Sequence, residues 1–200
     1  FGGFAASGGS ALRDLLCEYS DAFVFPAEFR LLKEKNGLLD LENALFVSKS
    51  PDNIDLAIRD FVNLSNHLAR VTTKFTRIGF SYDKYTNGIF SKSIDEFIDE
   101  ITDYKYPLNT HNYDFRKNYV RSQIDRYASK IFPYSFFEQL AYMSYPEYDS
   151  FLGASRKLLR SIFESAYLHE GYKPEIIALH NSVNHFTQEH ILKSAKYFDD

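Results

Sequence analysis

Glycine is concentrated at the start of this chain, where four of its nine glycines lie within the first nine residues, directly before a run with helical periodicity. Because glycine has no Cβ, a ligand can approach the main chain closely in such a loop. A helix that begins at Ser10 or Ala11 points its unpaired N–H groups and the positive end of its dipole toward that ligand. The segment therefore predicts an anion site, and phosphate is the usual occupant of a junction of this kind.

The same segment also predicts a packed helix. The apolar spacing after the glycines favours one buried helical face, formed by Leu12, Leu15, Leu16 and Tyr19. The nucleotide-triphosphate loop GxxxxGK[ST] needs a lysine, but no lysine precedes Lys33, and the dinucleotide pattern GxGxxG is absent too. An ordinary kinase or NTPase is therefore disfavoured. A glycine-rich turn that caps a buried helix without any ligand is the alternative interpretation.

Two short apolar runs, 22–25 and 175–179, predict buried strands of a parallel sheet. Ligands of open α/β sheets bind beyond the carboxyl ends of the strands. Glu28 and Arg30 follow the first run and His180 follows the second, so these three residues are candidate site residues. The alternatives are an ordinary surface ion pair between Glu28 and Arg30, and a histidine that is simply hydrogen-bonded at a strand end.

Most of the remaining chain has helical spacing, and residues 48–172 are predicted to form a helical insertion between strands of the sheet. Ser50 and Pro51 are typical of a helix start, and Ser93 with Glu96 forms a capping box. The spacing of apolar residues predicts helices at 38–45, 51–70, 93–101, 112–131 and 151–166.

Between these helices, residues 71–90 are predicted to be mostly loop, Pro107 to end the 93–101 helix or its extension, and 133–146 to form an aromatic connector. The 112–131 helix carries an excess of basic residues. These residues predict either a solvated face or a contact surface. Such a surface would bind an acidic glycan or the phosphates of a nucleotide donor.

Composition excludes some partners. A formal charge of −4 and a pI near 5.9 provide no global attraction for nucleic acid or an anionic membrane. No apolar run approaches the roughly 20 residues that cross a bilayer. Cys17, the single cysteine, is predicted to be a buried thiol in a reducing compartment, which favours the cytoplasm. The histidines lack a metal-ligand pattern, so no bound metal is expected.

The opening loop resembles that of the sulfotransferases that use 3′-phosphoadenosine 5′-phosphosulfate (PAPS). Their first phosphosulfate loop commonly has a basic residue, Ser, Gly, two Ser or Thr, and then a helix. Ser7, Gly8 and Ser10 match this pattern, Gly9 stands where Ser or Thr is common, and Ala6 replaces the basic residue. The continuation to about residue 45 also resembles bacterial polysaccharide-modifying members, and the last part of the chain is similar in the order of its elements.

The resemblance implies an α/β fold, a P-loop-like three-layer parallel sheet with a large helical insertion. It implies one sulfotransferase-like domain over residues 1–200, truncated at both ends, because the family's 3′-phosphate site would follow Asp200 and the sheet is incomplete in this chain. PAPS would be the donor and a glycan or glycolipid hydroxyl the acceptor. His180 would be the general base, and Glu28 and Arg30 would bind the acceptor. The donor would be held by Ser7, Gly8, Gly9, Ser10 and Ala11.

Two other functions are compatible with the same residues. A non-catalytic P-loop-like module would bind a phosphate-bearing ligand without transfer, and Ala6 favours this hypothesis. A basic side chain from elsewhere, such as Lys33, would restore the enzyme hypothesis. A phosphotransferase with an atypical loop is the third possibility, and it would need Mg²⁺ and an acidic ligand near Ser10.

Overall fold

The computed structural model of the chain describes residues 9–32, 34–70, 80–108, 139–171, 174–179 and 193–198, which form a mixed α/β structure. The helices are α1 (Gly9–Leu16), α2 (Leu38–Phe46), α3 (Pro51–Ala69), α4 (Tyr82–Tyr85), α5 (Ile89–Ile101) and α6 (Tyr148–His169). The strands are β1 (Ala22–Val24), β2 (Tyr104–Leu108), β3 (Gln139–Met143) and β4 (Ile176–Ala178).

Strands β1 and β4 form a parallel pair, with Phe23 opposite Ile177 in the middle of the register. Both strands lie where the sequence predicts them, and their parallel pairing is confirmed. Phe25 extends the pairing, because its N–H donates to the Ala178 carbonyl at 3.0 Å. The sequence also makes residues near 1–4 a third strand candidate, and these residues lie outside the described ones.

Three predicted helices are confirmed as α2, α3 and α6. The Ser50 hydroxyl caps α3 by accepting a hydrogen bond from the Asn53 N–H at 3.2 Å. Gly37 precedes α2 at a close approach of the chain, where an added Cβ would lie 2.5 Å from the Leu31 carbonyl oxygen. α6 ends before Gly171, which has a φ of 77° that favours glycine.

The predicted capping box at Ser93 and Glu96 is wrong. α5 begins earlier, at Ile89, and Ser93 is buried inside it with its hydroxyl 2.8 Å from that of Ser161. The start of α5 is instead capped by Asp83, whose carboxylate accepts hydrogen bonds from the Ser91 N–H at 2.9 Å and the Ser91 hydroxyl at 2.5 Å. The loop predicted at 71–90 is correct at residues 80–81 and 86–88 and wrong at α4 and at the first two residues of α5, while 71–79 lie outside the described residues.

Strands β2 and β3 were not predicted. They pair antiparallel, and Pro107 lies opposite Leu140 within the ladder instead of ending a helix. Proline is tolerated in an edge strand, where its missing N–H need not face the partner. The 48–172 region therefore contains a small sheet as well as helices, and β3 lies inside the predicted connector. The helix predicted at 112–131 lies outside the described residues.

Aromatic side chains join the parallel sheet to the helices. The Phe25 ring lies 5.2 Å from that of Tyr82, and the Phe29 ring lies 4.9 Å from that of Phe163, measured between centroids. Phe25, Phe29 and Tyr82 are all fully buried. Their packing fixes the chain directly after β1, which is the segment that carries Glu28 and Arg30.

The buried face predicted for α1 and the buried thiol are wrong. Leu15 is 50% exposed and Tyr19 is 59% exposed, and Cys17 is exposed as well. α1 has only eight residues and packs chiefly against β1, in a parallel sheet of two three-residue strands. Such a small surface cannot cover a whole helical face. The Leu12 side chain lies outside what the structure describes.

Candidate functional site

The glycine-rich segment leads directly into α1. Helix α1 begins at Gly9, one residue before the earlier of the two predicted starts, and Ser10 follows within its first turn. Ala11 is exposed. Ser7 and Gly8, the other predicted donor-binding residues, lie outside the described residues. The structure therefore describes the helical side of the predicted anion site.

The carboxyl edge of the parallel sheet leads into the predicted acceptor residues. Beyond Val24, Phe25 continues the pairing with β4, and the chain then turns through Pro26 to Glu28 and Arg30. On the neighbouring strand, Leu179 is buried directly after Ala178. His180, the predicted base, is the next residue and lies outside the described residues.

Glu28 and Arg30 form an ion pair, with 2.6 Å between Arg30 Nη2 and Glu28 Oε2. A second carboxylate joins them, because Arg30 Nη1 lies 3.0 Å from Glu34 Oε2. The side chains of Glu28 and Arg30 are each 30% exposed. Two carboxylates and one guanidinium give this trio a net charge of −1, so it does not attract an anion. Carboxylates do accept hydrogen bonds from hydroxyl groups, which makes the trio better suited to a neutral, hydroxyl-bearing ligand.

A buried tyrosine fixes the main chain between the two site residues. The Tyr82 hydroxyl donates to the Glu28 carbonyl and accepts from the Arg30 N–H at 2.8 Å. Tyr82 is fully buried, and this burial raises the pKa of its hydroxyl well above the usual value. The hydroxyl therefore stays protonated and keeps both hydrogen bonds at neutral pH.

An aromatic ring orients the Arg30 guanidinium. Its Cζ lies 4.4 Å from the centroid of the Phe80 ring, a cation–π distance. Arg30 Nε is buried and has no hydrogen-bond partner among the described residues. The guanidinium is thus held in place by two carboxylates and one ring, which pre-organises the exposed edge of the trio.

Sequence reasoning missed three members of this arrangement: Glu34, Phe80 and Tyr82. Glu34 lies four residues after Arg30, a spacing that suits a side-chain pair and could have indicated the contact. Tyr82 lies 52 residues from Arg30 in the chain, and no local pattern indicates that contact.

A metal centre is not apparent in the described ranges, where no three His, Cys, Asp or Glu side chains are grouped closely enough to hold an ion. Among the helices that the structure describes, none has both the length and the apolar composition needed to cross a membrane.

Comparison with known proteins provides no relative from which to transfer a function. No protein-family model, no curated protein and no solved structure matches this chain.

Proposed function

We propose that the chain is a PAPS-dependent sulfotransferase with a P-loop-like three-layer fold that transfers a sulfuryl group to a hydroxyl of a glycan or glycolipid. One observation carries the proposal: α1 begins at the end of the glycine-rich segment and leads into β1, which pairs parallel with β4. This is the loop, helix and strand order in which a helix N-terminus meets a phosphate group. A cytoplasmic location accompanies the proposal, because a single exposed thiol suits a reducing compartment.

In the proposed mechanism, the main-chain N–H groups of residues 7–11 and the Ser10 hydroxyl hold the 5′-phosphosulfate. They stabilise the negative charge that develops on the bridging oxygen as it leaves sulfur. His180 takes the proton from the acceptor hydroxyl while that oxygen attacks sulfur. The bond between sulfur and the bridging oxygen breaks, and 3′-phosphoadenosine 5′-phosphate is released.

The trio of Glu28, Arg30 and Glu34 supports a role in holding the acceptor. Its net negative charge disfavours the phosphates of the donor, whereas its carboxylates can accept hydrogen bonds from sugar hydroxyls. The hydrogen bonds of Tyr82 keep the trio at a fixed place beyond β1. This division of charge supports a donor site at the glycine-rich loop and an acceptor site at the loop after β1.

Calorimetric titration with 3′-phosphoadenosine 5′-phosphate tests the donor site, with ATP and Mg²⁺ as the comparison ligand. We expect saturable binding of the bisphosphate that Gly8→Val weakens by about tenfold or more, because a side chain there blocks approach to the main chain. The control is Ser150→Val, because Ser150 is exposed in the first turn of α6, where a valine side chain meets solvent. Absence of binding to the folded protein, or equal binding by Gly8→Val, would refute the donor site.

A non-catalytic module that binds a phosphate-bearing ligand is the second candidate. It is favoured by Ala6, at the position of the family's basic residue, and by the pairing of Arg30 with two carboxylates. Incubation with radiolabelled PAPS and a mixed-glycan acceptor separates the two functions. Transfer that is lost in His180→Ala supports the enzyme, whereas bisphosphate binding without transfer supports the module. Preference for ATP with Mg²⁺ would instead indicate a phosphotransferase.

A further inference from the structure

A groove of about 520 Å³ lies along the outer face of α6 and is separate from the loop after β1. It extends over four turns of α6, from Gly153 to Leu168, and Ile89 at the start of α5 also lines it. This volume lies within the range of small-molecule sites, about 300–1,000 Å³.

The two ends of the groove differ in charge. Arg156, Lys157 and Arg160 lie at one end, and Glu164 lies one turn beyond Arg160. These four side chains give the lining a net charge of +2, whereas the whole chain carries −4. Residues four apart on a helix are neighbours on its surface. The cationic end is therefore compact enough for several cations to contact one anionic group.

Arg156 is held in a fixed orientation at the cationic end. Its Nε and Nη2 donate to the Lys196 carbonyl at 3.0 and 2.9 Å, and the side chain is partly buried. A guanidinium has five N–H donors in a planar fork, so these two bonds leave donors for a tetrahedral oxyanion. Because the orientation is set by the protein, little side-chain entropy is lost when a ligand binds.

Lys157 is available to exchange its partner. Its Nζ lies 2.8 Å from Glu100 Oε2, and both side chains are largely exposed. Exposed pairs of this kind contribute little to stability because water and salt screen them. A phosphate or sulfate group that enters the groove can therefore replace Glu100 as the partner of Lys157.

The other end of the groove suits hydroxyl groups instead of a second anion. The Glu164 carboxylate repels negative charge, and it accepts hydrogen bonds from hydroxyls. The Ser165 hydroxyl donates to the Ile162 carbonyl at 2.9 Å, which leaves its oxygen to act as an acceptor. A polyanion spread along the groove is disfavoured, while a ligand with one anionic end and a hydroxyl-bearing body fits both ends.

From this charge pattern we propose that the α6 groove binds a sugar that carries one tetrahedral oxyanion, as a phosphate or a sulfate ester. The ester group contacts Arg156, Lys157 and Arg160, and the sugar hydroxyls contact Glu164 and Ser165. This site does not depend on the proposed sulfuryl transfer or on the donor loop.

Glucose 6-phosphate and glucose 6-sulfate are the two probes, with glucose and inorganic phosphate as reference ligands. We expect saturable binding of at least one ester, tighter than either reference, with amide chemical-shift changes along 153–168. The double variant Lys157→Gln/Arg160→Gln should weaken binding by about a hundredfold or more, the scale of two lost charge-assisted hydrogen bonds. Lys105→Gln is the matched control, because Lys105 is likewise paired with a carboxylate of α5, that of Asp99. This variant should bind the esters as tightly as the unmodified protein.

Three results would overturn the proposal: no saturable binding of either ester by the folded protein, equal binding by the double variant, or inorganic phosphate binding as tightly as the esters. A difference between the two esters identifies which one the site takes. Binding lost in Gly8→Val but kept in the double variant would place the anion at the glycine-rich loop and also refute the groove. A failed bisphosphate titration leaves this test intact, so the two proposals fail separately.

Discussion

The packed helices and α1 have similar amphipathic sequences but very different environments. In the helical core, Phe61 of α3 and Phe151 and Ile162 of α6 are completely buried, whereas Leu15 of α1 is half exposed. α5 lies between α3 and α6 and packs against both. The pattern of apolar residues predicts that a helix forms, but burial of its apolar face requires a neighbouring surface of matching size.

This difference in packing distinguishes the helical core from the region of α1. The core helices α3, α5 and α6 have 19, 13 and 22 residues and bury one another's apolar faces. Helix α1 has eight residues and packs against a three-residue strand. Regions with few buried apolar contacts open most easily. We therefore expect substitutions in the core to lower global stability, and substitutions on α1 to leave it nearly unchanged.

Phe151→Ala should have the largest effect. The Phe151 ring is fully buried between the rings of Phe46 and Phe97, at centroid distances of 5.4 and 6.0 Å. We expect the free energy of unfolding to fall by about 3–5 kcal/mol, the usual cost of this cavity. Urea unfolding followed by circular dichroism measures it. Val47→Ala, at an exposed position, is the control, and an equally small loss in both variants would show that the core is loosely packed.

Tyr82→Phe tests the link between the core and the loop after β1. The change leaves the Arg30 N–H and the Glu28 carbonyl without their hydroxyl partner, at an expected cost of about 1–3 kcal/mol. Tyr19→Phe removes an exposed hydroxyl from the α1 region and should be neutral. If the two variants unfold at the same urea concentration, Tyr82 does not fix this loop.

Stability should also fall at alkaline pH. Burial raises the pKa of Tyr82 and of Tyr197, and the hydrogen bond to Glu42 raises that of Tyr197 further. In the unfolded chain tyrosine ionises near pH 10, so above about this pH unfolding releases protons and each residue removes about 1.4 kcal/mol per pH unit. Urea unfolding at a series of pH values measures this slope. Tyr82→Phe should reduce the slope by the contribution of one tyrosine, about 1.4 kcal/mol per pH unit. An unchanged slope would contradict the raised pKa of Tyr82.

The confirmed elements are those whose signals are local. Ser50, Pro51 and the apolar spacing after them predict α3, and the apolar run ending at Pro26 predicts β1. The antiparallel pair β2–β3 was missed for two reasons. A proline such as Pro107 usually ends a helix or strand, and the pairing of β2 with β3 joins distant parts of the chain. Long-range contacts of this kind leave no pattern in either strand alone.

The candidate site shows the same contrast between local signals and long-range contacts. Glu28 and Arg30 were found from their position after a strand, and the ion pair considered as an alternative is present. Their role in binding an acceptor remains a prediction, as do the roles of Ser7, Gly8 and His180, which lie outside the described residues. The contact with Tyr82 depends on tertiary packing, which brings α4 onto the aromatic cluster beyond β1.

Ser50→Ala measures how much a local signal contributes to the packed region. Its hydroxyl caps α3, and the loss should be about 1 kcal/mol, within the usual range for this substitution. Ser150→Ala, at an exposed position in the first turn of α6, is the control and should cost nothing, because alanine is the better helix former. Thermal unfolding of the two variants under one condition measures the difference. Equal unfolding temperatures would mean that packing alone holds α3 in place.

Leu15→Ala should have the smallest effect and tests the exposed side of the comparison. Leu15 keeps half of its surface in water, so we expect a change within about 0.5 kcal/mol. The matched variant is Leu159→Ala on α6, where the side chain is buried and the same change should cost about 2–5 kcal/mol. Urea unfolding of both measures the contrast directly. If Leu15→Ala costs as much as Leu159→Ala, the face of α1 is buried as its sequence predicts, and the two regions do not differ in packing.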